Sequence, residues 1–578
     1  MPAATQPETA TMTVRPIHAL LTLCLPAAML LATTGCASLH VPTPPQPPRG
    51  CAEMASHSVD ADRIGLPTRG ARVTTATAVA ASGSGAALRP AHCLVAGEIG
   101  PVDPAAPPIR FQLALPDAWN GKALMFGGGG LNGTVPNVLG NVSAGPVDKP
   151  LPMARGYATF GSDSGHQANA LGSLDASFGL NDEALANYAG DALKKTRDVA
   201  IALIAHRYGR PPVRAYFSGG STGGREAIQA VQRWPADWDG AIAWYPASAG
   251  MVSILGGHRM NRALAQPGAY PNAAKRDALL RAALQACDGL DGALDGLISH
   301  QDRCNAVFDP ATARLGDQAL RCADGADTGD HCLSDVQITA MKVINTPTRL
   351  DYLASGEHQH PGYNIWGADT GIHTRTHAVQ PIVNFLAFNK SAPGRPMPAD
   401  APYISIYLDQ WVRFHVTRDP SYDALSLDPE NPGAWAARIG LLSASLDNRR
   451  DLSAFAAKGG KLLLAHGLND VLVSSRSTRA LYNVWLAQMG AGPLRSFVRY
   501  YEVPGYNHAV SSVFNATWDS LSALEQWVEQ GHAPERQVTT DTVGVPGRTR
   551  PLCDYPLWPR YRGSGDLNAA ESFTCSSH

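Results

Sequence analysis

The chain has 578 residues, 44% of them apolar and only 17% charged, a composition that can bury a large core and excludes intrinsic disorder as the overall class. Lys and Arg number 47 against 49 Asp and Glu, a net charge of −2, so no basic field exists to recruit nucleic acid. With 56 Gly and 44 Pro the chain reads as loop-rich and globular, and its length allows either about four domains or one long enzyme domain carrying an insertion.

Arg15 and His18 precede an apolar run over 19–32, which closes on Thr33-Thr34-Gly35-Cys36. A positive flank, an apolar run of this length and small residues at its end describe an export signal over 1–36. Cys36 after Gly35 resembles the acylated cysteine of bacterial lipoproteins, although Thr33 stands where Leu is usual; an ordinary cleaved signal with an incidental cysteine is the alternative. The expected location is periplasmic, secreted or outer-membrane lipoprotein. A lipid on Cys36 would be its one membrane link, because no later run is apolar and long enough to span a bilayer. Residues 37–50, with Pro-Thr-Pro-Pro-Gln-Pro-Pro at 42–48, read as an extended tether.

Ten cysteines are present. Setting aside Cys24 and Cys36 leaves an even set in an exported chain, which implies a disulfide framework. Clustering in chain order suggests the pairs Cys51–Cys93, Cys287–Cys304, Cys322–Cys332 and Cys553–Cys575. A zinc site is the rival, but no Cys-x2-Cys spacing occurs.

Short apolar runs alternate with helical patterns in two stretches. The first holds strands at 123–126 and 156–160, a long helix at 183–208, a strand at 213–217, a helix at 225–233 and a strand at 241–244. The second holds a strand at 461–465, a helix at 475–489, a strand at 497–503 and a helix at 518–529. This rhythm argues for an α/β fold with a parallel-type sheet covered by helices on both faces. The core would comprise 51–248 and 452–578. Between them 249–451 changes character, with four cysteines, Asp-Gly turns, many aromatics and little strand–helix rhythm, and reads as an insertion with its own small core. No internal repeat occurs.

Following the first strand, Gly127-Gly128-Gly129-Gly130-Leu131-Asn132-Gly133 formally contains the dinucleotide fingerprint, but no amphipathic helix follows it. A Gly-rich oxyanion loop, whose N–H groups can approach a tetrahedral intermediate, is the better reading; a tight loop without function is the bland one. Further on, a strand runs through Gly219-Gly220-Ser221-Thr222-Gly223 straight into a helix. A serine on such a turn has its Oγ exposed, and the helix N-terminus favours developing negative charge. A serine also needs an imidazole base oriented by a carboxylate, in the chain order Ser, acid, His. Asp470, on the loop leaving the strand at 461–465, and His508, on the loop leaving the strand at 497–503, fill those roles at one sheet edge. The long span from Ser221 to Asp470 needs the insertion, which becomes a lid. His466 and His166 are the rival bases and Glu502 the rival acid. His466 reads better as a packing or hydrogen-bonding residue, and His166 as a structural one.

Within the insertion, Cys287-Asp288-Gly289-Leu290-Asp291-Gly292-Ala293-Leu294-Asp295-Gly296-Leu297 gathers three carboxylates between turning glycines. Hard oxygens at this density suit Ca2+, although the loop is no EF-hand and Asp-Gly turns are common in solvated loops.

These motifs together resemble the tannase/feruloyl esterase family of α/β-hydrolases, which includes the mono(2-hydroxyethyl) terephthalate hydrolase branch. The carriers are Phe217-Ser-Gly-Gly-Ser221-Thr-Gly-Gly-Arg-Glu226, the loop at 127–133, the Asp-Gly repeat at 287–296, His466-Gly-Leu-Asn-Asp470, Gly505-Tyr-Asn-His508, Arg550-Pro-Leu-Cys553-Asp-Tyr-Pro and Gly563-Ser-Gly-Asp566. The resemblance implies Ser221, Asp470 and His508 as a triad and the Gly130 and Thr222 backbones as the oxyanion hole. It also implies a structural Ca2+ in the lid, on Asp288, Asp291 and Asp295 with the carbonyls of Ala293 and Leu297. Two departures stand out. Family members usually carry a cysteine just before the nucleophile and another just after the catalytic His, where this chain has Gly220 and Ala509. The terephthalate branch looks to grip its substrate carboxylate with a lid Arg, for which Arg413 is the nearest candidate, a plain surface residue being the alternative reading. Tyr403, Tyr407, Trp411 and Phe414 could sandwich an aromatic acyl group, or simply pack a helical core.

The expected function is that of an exported serine carboxylesterase acting on small aromatic esters of hydroxybenzoate, cinnamate or terephthalate type, with no organic cofactor. Mono(2-hydroxyethyl) terephthalate hydrolysis specifically is the narrower alternative. A catalytically silent surface-binding lipoprotein on the same scaffold is the alternative from another class. The sequence sets no oligomeric state.

Overall fold

The computed structural model describes residues 48–353, 358–372, 378–386, 388–448 and 451–577. The expected export signal, Cys36 and all but the last three residues of the tether lie outside them. Ten strands form one sheet: β1 (Ser58–Val59), β2 (Ala71–Val79), β3 (His92–Ile99), β4 (Ile109–Pro116), β5 (Lys122–Phe126), β6 (Ala158–Ser162), β7 (Arg214–Gly220), β8 (Gly240–Trp244), β9 (Lys461–Gly467) and β10 (Val498–Val503), in the order β1-β2-β3-β4-β6-β5-β7-β8-β9-β10. From β6 to β10 every pairing is parallel. From β1 to β4, and between β4 and β6, the pairings are antiparallel. The chain has an α/β-hydrolase fold.

The parallel half was legible because its strands are continuous apolar runs buried on both faces. Side chains alternate between two cores, as a period of two demands. Ala123, Phe217, Ala241, Leu462 and Leu464 enter one core, and Leu124, Tyr216, Ile242, Leu463 and Tyr501 the other. The antiparallel half escaped the sequence reading. β2 is Ala-Arg-Val-Thr-Thr-Ala-Thr-Ala-Val and mostly exposed, so its small residues leave little hydrophobic period to detect.

The helices that matter to the site are α1 (Ala192–Tyr208), α2 (Thr222–Arg233), α3 (Gly250–Leu264), α4 (Tyr403–Gln410), α5 (Ser475–Met489) and α6 (Ser520–Gln530). α1, α2 and α5 contribute to the first core, and α6 to the second, so both faces are covered. The helix expected over 183–208 is interrupted. A π turn at Asn187–Asp191 contains Gly190 at φ 134°, a conformation open to glycine, and a Cβ there would run into the Arg233 guanidinium.

The insertion does not close a small core on itself. Its apolar residues, among them Met251, Leu255, Leu408 and Trp411, form one cluster with Leu131, Phe178, Tyr188 and Leu472 from loops that follow the sheet's parallel strands. The four disulfides are Cys51–Cys93, Cys287–Cys304, Cys322–Cys332 and Cys553–Cys575, the pairs expected from chain order. Among the described residues no helix is long and apolar enough to cross a membrane.

Candidate active site

Ser221 joins β7 to α2 with φ 59° and ψ −123°, a sparsely populated region whose cost is about 1–3 kcal/mol. Its surroundings hold it there. The Ser221 N–H donates to the Trp244 carbonyl at 3.1 Å, and its own carbonyl accepts from Arg225 N at 3.1 Å and Ala247 N at 3.0 Å. Gly219 and Gly223 lie back to back, and a Cβ on Gly223 would stand 2.7 Å from the Gly128 carbonyl. The turn therefore closes only with glycine at these two places.

The loops leaving β9 and β10 bring Asp470 and His508 to this turn. His508 Nε2 lies 3.0 Å from Ser221 Oγ, and His508 Nδ1 lies 2.7 Å from Asp470 Oδ2. The other carboxylate oxygen, Oδ1, accepts from Leu472 N and Val473 N, both at 2.8 Å. Asp470 is almost completely buried, at 1% exposure. Burial opposes its charge, yet the His508 imidazole and hydrogen bonds from His466 and His508 hold its carboxyl well below the usual carboxylate range. With the Ser221 hydroxyl donating to Nε2, Nδ1 carries the proton given to Asp470, the arrangement in which an imidazole can accept the serine proton.

Both loops are tied to the insertion. Asn507 Oδ1 accepts from His508 N at 2.8 Å and Val471 N at 3.1 Å, while its Nδ2 donates to the Asp369 carbonyl at 3.2 Å. The Asp369 carboxylate accepts from Gly371 N, Ile372 N and the Ser512 hydroxyl. Asn364 Nδ2 donates to the Leu468 carbonyl at 3.0 Å. The sequence reading found neither Asn507 nor Asp369; a buried Asp between Ala368 and Thr370 carries no local signal.

The Gly-rich loop lies on the other side of Ser221. Thr222 Oγ1 donates to the Gly130 carbonyl at 2.6 Å, and Gly223 N to the Gly128 carbonyl at 2.9 Å. Among the described residues neither the Gly130 nor the Thr222 N–H bonds a backbone carbonyl, leaving both able to donate to a developing oxyanion. Glu226, buried on α2, anchors the loop by accepting from Gly128 N at 3.0 Å and Asn132 Nδ2 at 2.6 Å.

A cavity opens from Ser221 into the insertion. Tyr403, Tyr407 and Trp411 line it together with Ile254, Leu408 and Arg225. The first three recur every four residues and so share a helical face. The Tyr403 hydroxyl meets Ser173 Oγ at 3.1 Å and the Tyr407 hydroxyl meets that of Tyr188 at 3.4 Å. Burial pushes both phenols above their usual values, so they act as neutral hydrogen-bonding groups. The expectation for Arg413 and Phe414 is corrected, since neither lines this cavity. After α4 the chain passes into a π turn, Trp411–Val416, and Arg413 and Phe414 lie outside the cavity wall. Arg413 Nε donates to the Pro420 carbonyl at 2.7 Å and its Nη1 pairs with Asp409 at 3.2 Å. Arg225 is the guanidinium at the cavity.

The rival residues are occupied elsewhere. His166 stacks on Phe178 with ring centroids 3.7 Å apart, and Glu502 pairs with Arg479 at 2.7 Å. In place of two cysteines, Gly220 faces the Tyr245 ring, which lies 4.8 Å from the His508 ring, and Ala509 takes φ 61°.

The Asp-Gly loop is folded by its own carboxylates. Asp288 Oδ1 accepts from Gly296 N at 3.0 Å, and Asp291 Oδ1 from Ala293 N at 3.0 Å. Burial, with Asp295 adding to it, pushes the Asp288 carboxyl up and that of Asp291 to about 6. Asp295 itself pairs with the buried Arg550 guanidinium. Among the described residues no three His, Cys, Asp or Glu side chains converge on one metal position. The donors are hard oxygens, the ligand type Ca2+ takes, and Arg550, paired with Asp295, also acts electrostatically on Asp291.

The family model for tannase and feruloyl esterase matches residues 93–576. An uncharacterized esterase of Agrobacterium fabrum is 38% identical over 536 residues, covering 91% of this chain and 93% of the relative. The mono(2-hydroxyethyl) terephthalate hydrolase of Piscinibacter sakaiensis is 32% identical over 558 residues, covering 86% and 87%. Among solved structures, feruloyl esterase B from Aspergillus oryzae superposes with a TM-score of 0.70 at 24% identity, covering 89% of this chain and 98% of that one.

Proposed function

The chain belongs to the tannase and feruloyl esterase family and is a carboxylic ester hydrolase, and we propose that it is an exported serine esterase of small aromatic esters. The observation that carries this reading is the 3.0 Å contact between His508 Nε2 and Ser221 Oγ, at a strained strand-to-helix turn beside an aromatic-walled cavity.

In this mechanism Ser221 Oγ attacks the ester carbonyl carbon while His508 Nε2 takes the hydroxyl proton. The carbonyl oxygen becomes an oxyanion that accepts from the Gly130 and Thr222 N–H groups. Asp470 keeps the Nδ1–H tautomer and stabilises the imidazolium. Collapse breaks the carbon–oxygen bond to the alcohol, which leaves with the proton from Nε2. Water then attacks the acyl-serine, giving a proton to Nε2, and the acid departs as that proton returns to Ser221. The aromatic acyl group is assigned to the cavity between Tyr403, Tyr407 and Trp411. Export is supported by the four disulfides; acylation of Cys36 belongs to the same proposal and is tested by mass analysis of the mature N-terminus.

Ser221→Ala is expected to abolish turnover of methyl ferulate, methyl gallate and mono(2-hydroxyethyl) terephthalate in a protein that still melts cooperatively. Residual turnover within tenfold of the parent would overturn the assignment, since loss of such a serine costs about 10⁶-fold in kcat. The relative kcat/KM of the three esters names the acid.

Ca2+ at the Asp288–Asp291–Asp295 loop completes the proposal. It would draw on the three carboxylates and the Ala293 and Leu297 carbonyls, competing with Arg550 for Asp295. Chelation should lower Tm and leave kcat, measured below the transition, within about twofold; an unchanged melting curve would remove the ion.

A further inference from the structure

His466 is buried beneath the site and touches neither Ser221 nor the cavity, yet it shares an atom with the reaction. Its Nε2 lies 3.1 Å from Asp470 Oδ2, the same oxygen that receives His508 Nδ1 at 2.7 Å. Nε2 also lies 3.1 Å from the Val473 carbonyl. A carboxylate and a carbonyl are both acceptors, so Nε2 must carry a proton. Nδ1 faces the Thr478 hydroxyl at 2.9 Å, which donates to it in the neutral ring. The tautomer is thereby fixed from both ends, and the N–H is aimed at the acid.

We propose that His466 is a positioning residue of this hydrolysis: by donating to Asp470 Oδ2 it draws off part of the carboxylate's negative charge and so limits how basic Asp470 makes His508. The inference rests on the triad reading above. The physics is a competition for one oxygen. A carboxylate that satisfies two donors through one atom holds each less strongly than it would hold either alone. Four N–H groups converge on this carboxylate, two of them backbone groups that fix its orientation and two imidazoles that share its charge. The other titratable groups facing the pair are phenols. Tyr245 packs against His508, and Tyr245, Tyr363 and Tyr506 all feel the Asp470 charge from the elements around it. Burial raises all three above the usual tyrosine range, so they stay neutral through the working pH range. The two imidazoles are the side chains that donate to Asp470.

Without the His466 donor, Asp470 should favour the imidazolium form of His508 more strongly. The base then needs a higher pH to become free, and the acid limb of kcat/KM moves upward. Hydrolysis of p-nitrophenyl acetate between pH 5 and 9 measures this in the full chain. His466→Ala should shift the limb up by about one pH unit. His466→Gln, whose amide can still donate to Oδ2, should return it towards the parent. Thr478→Val, which removes only the hydroxyl that fixes the tautomer, should shift it in the same direction by less, and this near-isosteric variant serves if the alanine variant does not fold. A limb that stays within about 0.2 pH unit of the parent in both His466→Ala and Thr478→Val, with only the plateau lowered, would reduce His466 to packing and overturn the proposal. Labelling by a serine-reactive fluorophosphonate separates the two levels. No labelling of the parent at Ser221 sinks the triad reading, whereas labelling with an unmoved limb sinks only the role of His466.

Discussion

The two sides of the catalytic edge are built by different means. On the Ser221 side the backbone itself does the positioning: β7 ends, α2 begins, and two glycines let the Gly-rich loop lie directly on the turn. One buried carboxylate, Glu226, completes it. On the His508 side the loops after β9 and β10 are longer, and the insertion holds them, through the Asp369 carbonyl to Asn507, the Asp369 carboxylate to Ser512 and the Asn364 amide to Leu468. The segment that the sequence suggested as a lid is therefore also the scaffold of the imidazole. A site of this kind should be stiff where serine attacks and adjustable where the proton moves.

The largest test of that contrast lies on the stiff side. Glu226→Gln keeps the shape but replaces one acceptor oxygen by a donor, so Gly128 N or Asn132 Nδ2 loses its partner. The oxyanion loop should loosen, with kcat falling about 10²-fold, KM changing much less, and His508 untouched. Steady-state kinetics with methyl ferulate read this split. A KM effect larger than the kcat effect would mean that Glu226 supports substrate binding rather than the oxyanion.

On the adjustable side the expected loss is smaller. Asp369→Asn removes charge from a carboxylate that accepts from Gly371 N, Ile372 N and Ser512, and it weakens the platform under Asn507. A displaced imidazole should lower kcat about tenfold, while fluorophosphonate labelling of Ser221 slows in proportion. If Asp369→Asn costs as much as Glu226→Gln, the two sides are equally rigid and the contrast fails.

How far the sequence revealed this site follows the same division. Ser221 was legible because strand, Gly-x-Ser-x-Gly and helix are contiguous, and the elbow is a local property of the chain. Asp470 and His508 were legible because each follows an apolar strand, and parallel strands deliver their C-terminal ends to one edge. Asp369 and Asn507 were not. The contacts that join them to the site, Ser512 to Asp369 and Val471 to Asn507, span long stretches of sequence, and nothing local distinguishes a buried Asp or Asn from a loop residue. Arg413 failed for a different reason. It was the nearest arginine to a position implied by resemblance alone, and in the structure its guanidinium is taken by Asp409 and the Pro420 carbonyl. Of the antiparallel strands, β2 was missed because Ala, Thr and exposed positions dilute its period, while β3 and β4, whose buried alternation is plain, went unread.

The smallest effect concerns stability, and it again separates the sheet from the insertion. Four buried imidazoles have pKa values lowered by desolvation: His166 and His258 to about 4, His360 and His415 to about 3. Three of them lie in the insertion, and His166 packs against its base through Phe178, which also meets His415. In the unfolded chain each takes up a proton near pH 6.5; in the folded chain each stays neutral until much lower pH. The unfolded state binds more protons throughout that window. Their contribution is therefore fully present above about 6.5 and is lost as pH falls towards 4 to 3. Asp163 works in the opposite sense. Burial lifts its carboxyl to about 6, as it does that of Asp291, so the contribution of each grows as pH falls through that value, but they are two groups against four. Tm should drop by roughly 5 °C between pH 6.5 and 4.5. His258→Gln, which can keep a donor to the Leu427 carbonyl now 3.2 Å from Nε2, should flatten part of that slope. A Tm that is level across the window, or a slope unchanged in His258→Gln, would show that the insertion's imidazoles are not its acid-labile element.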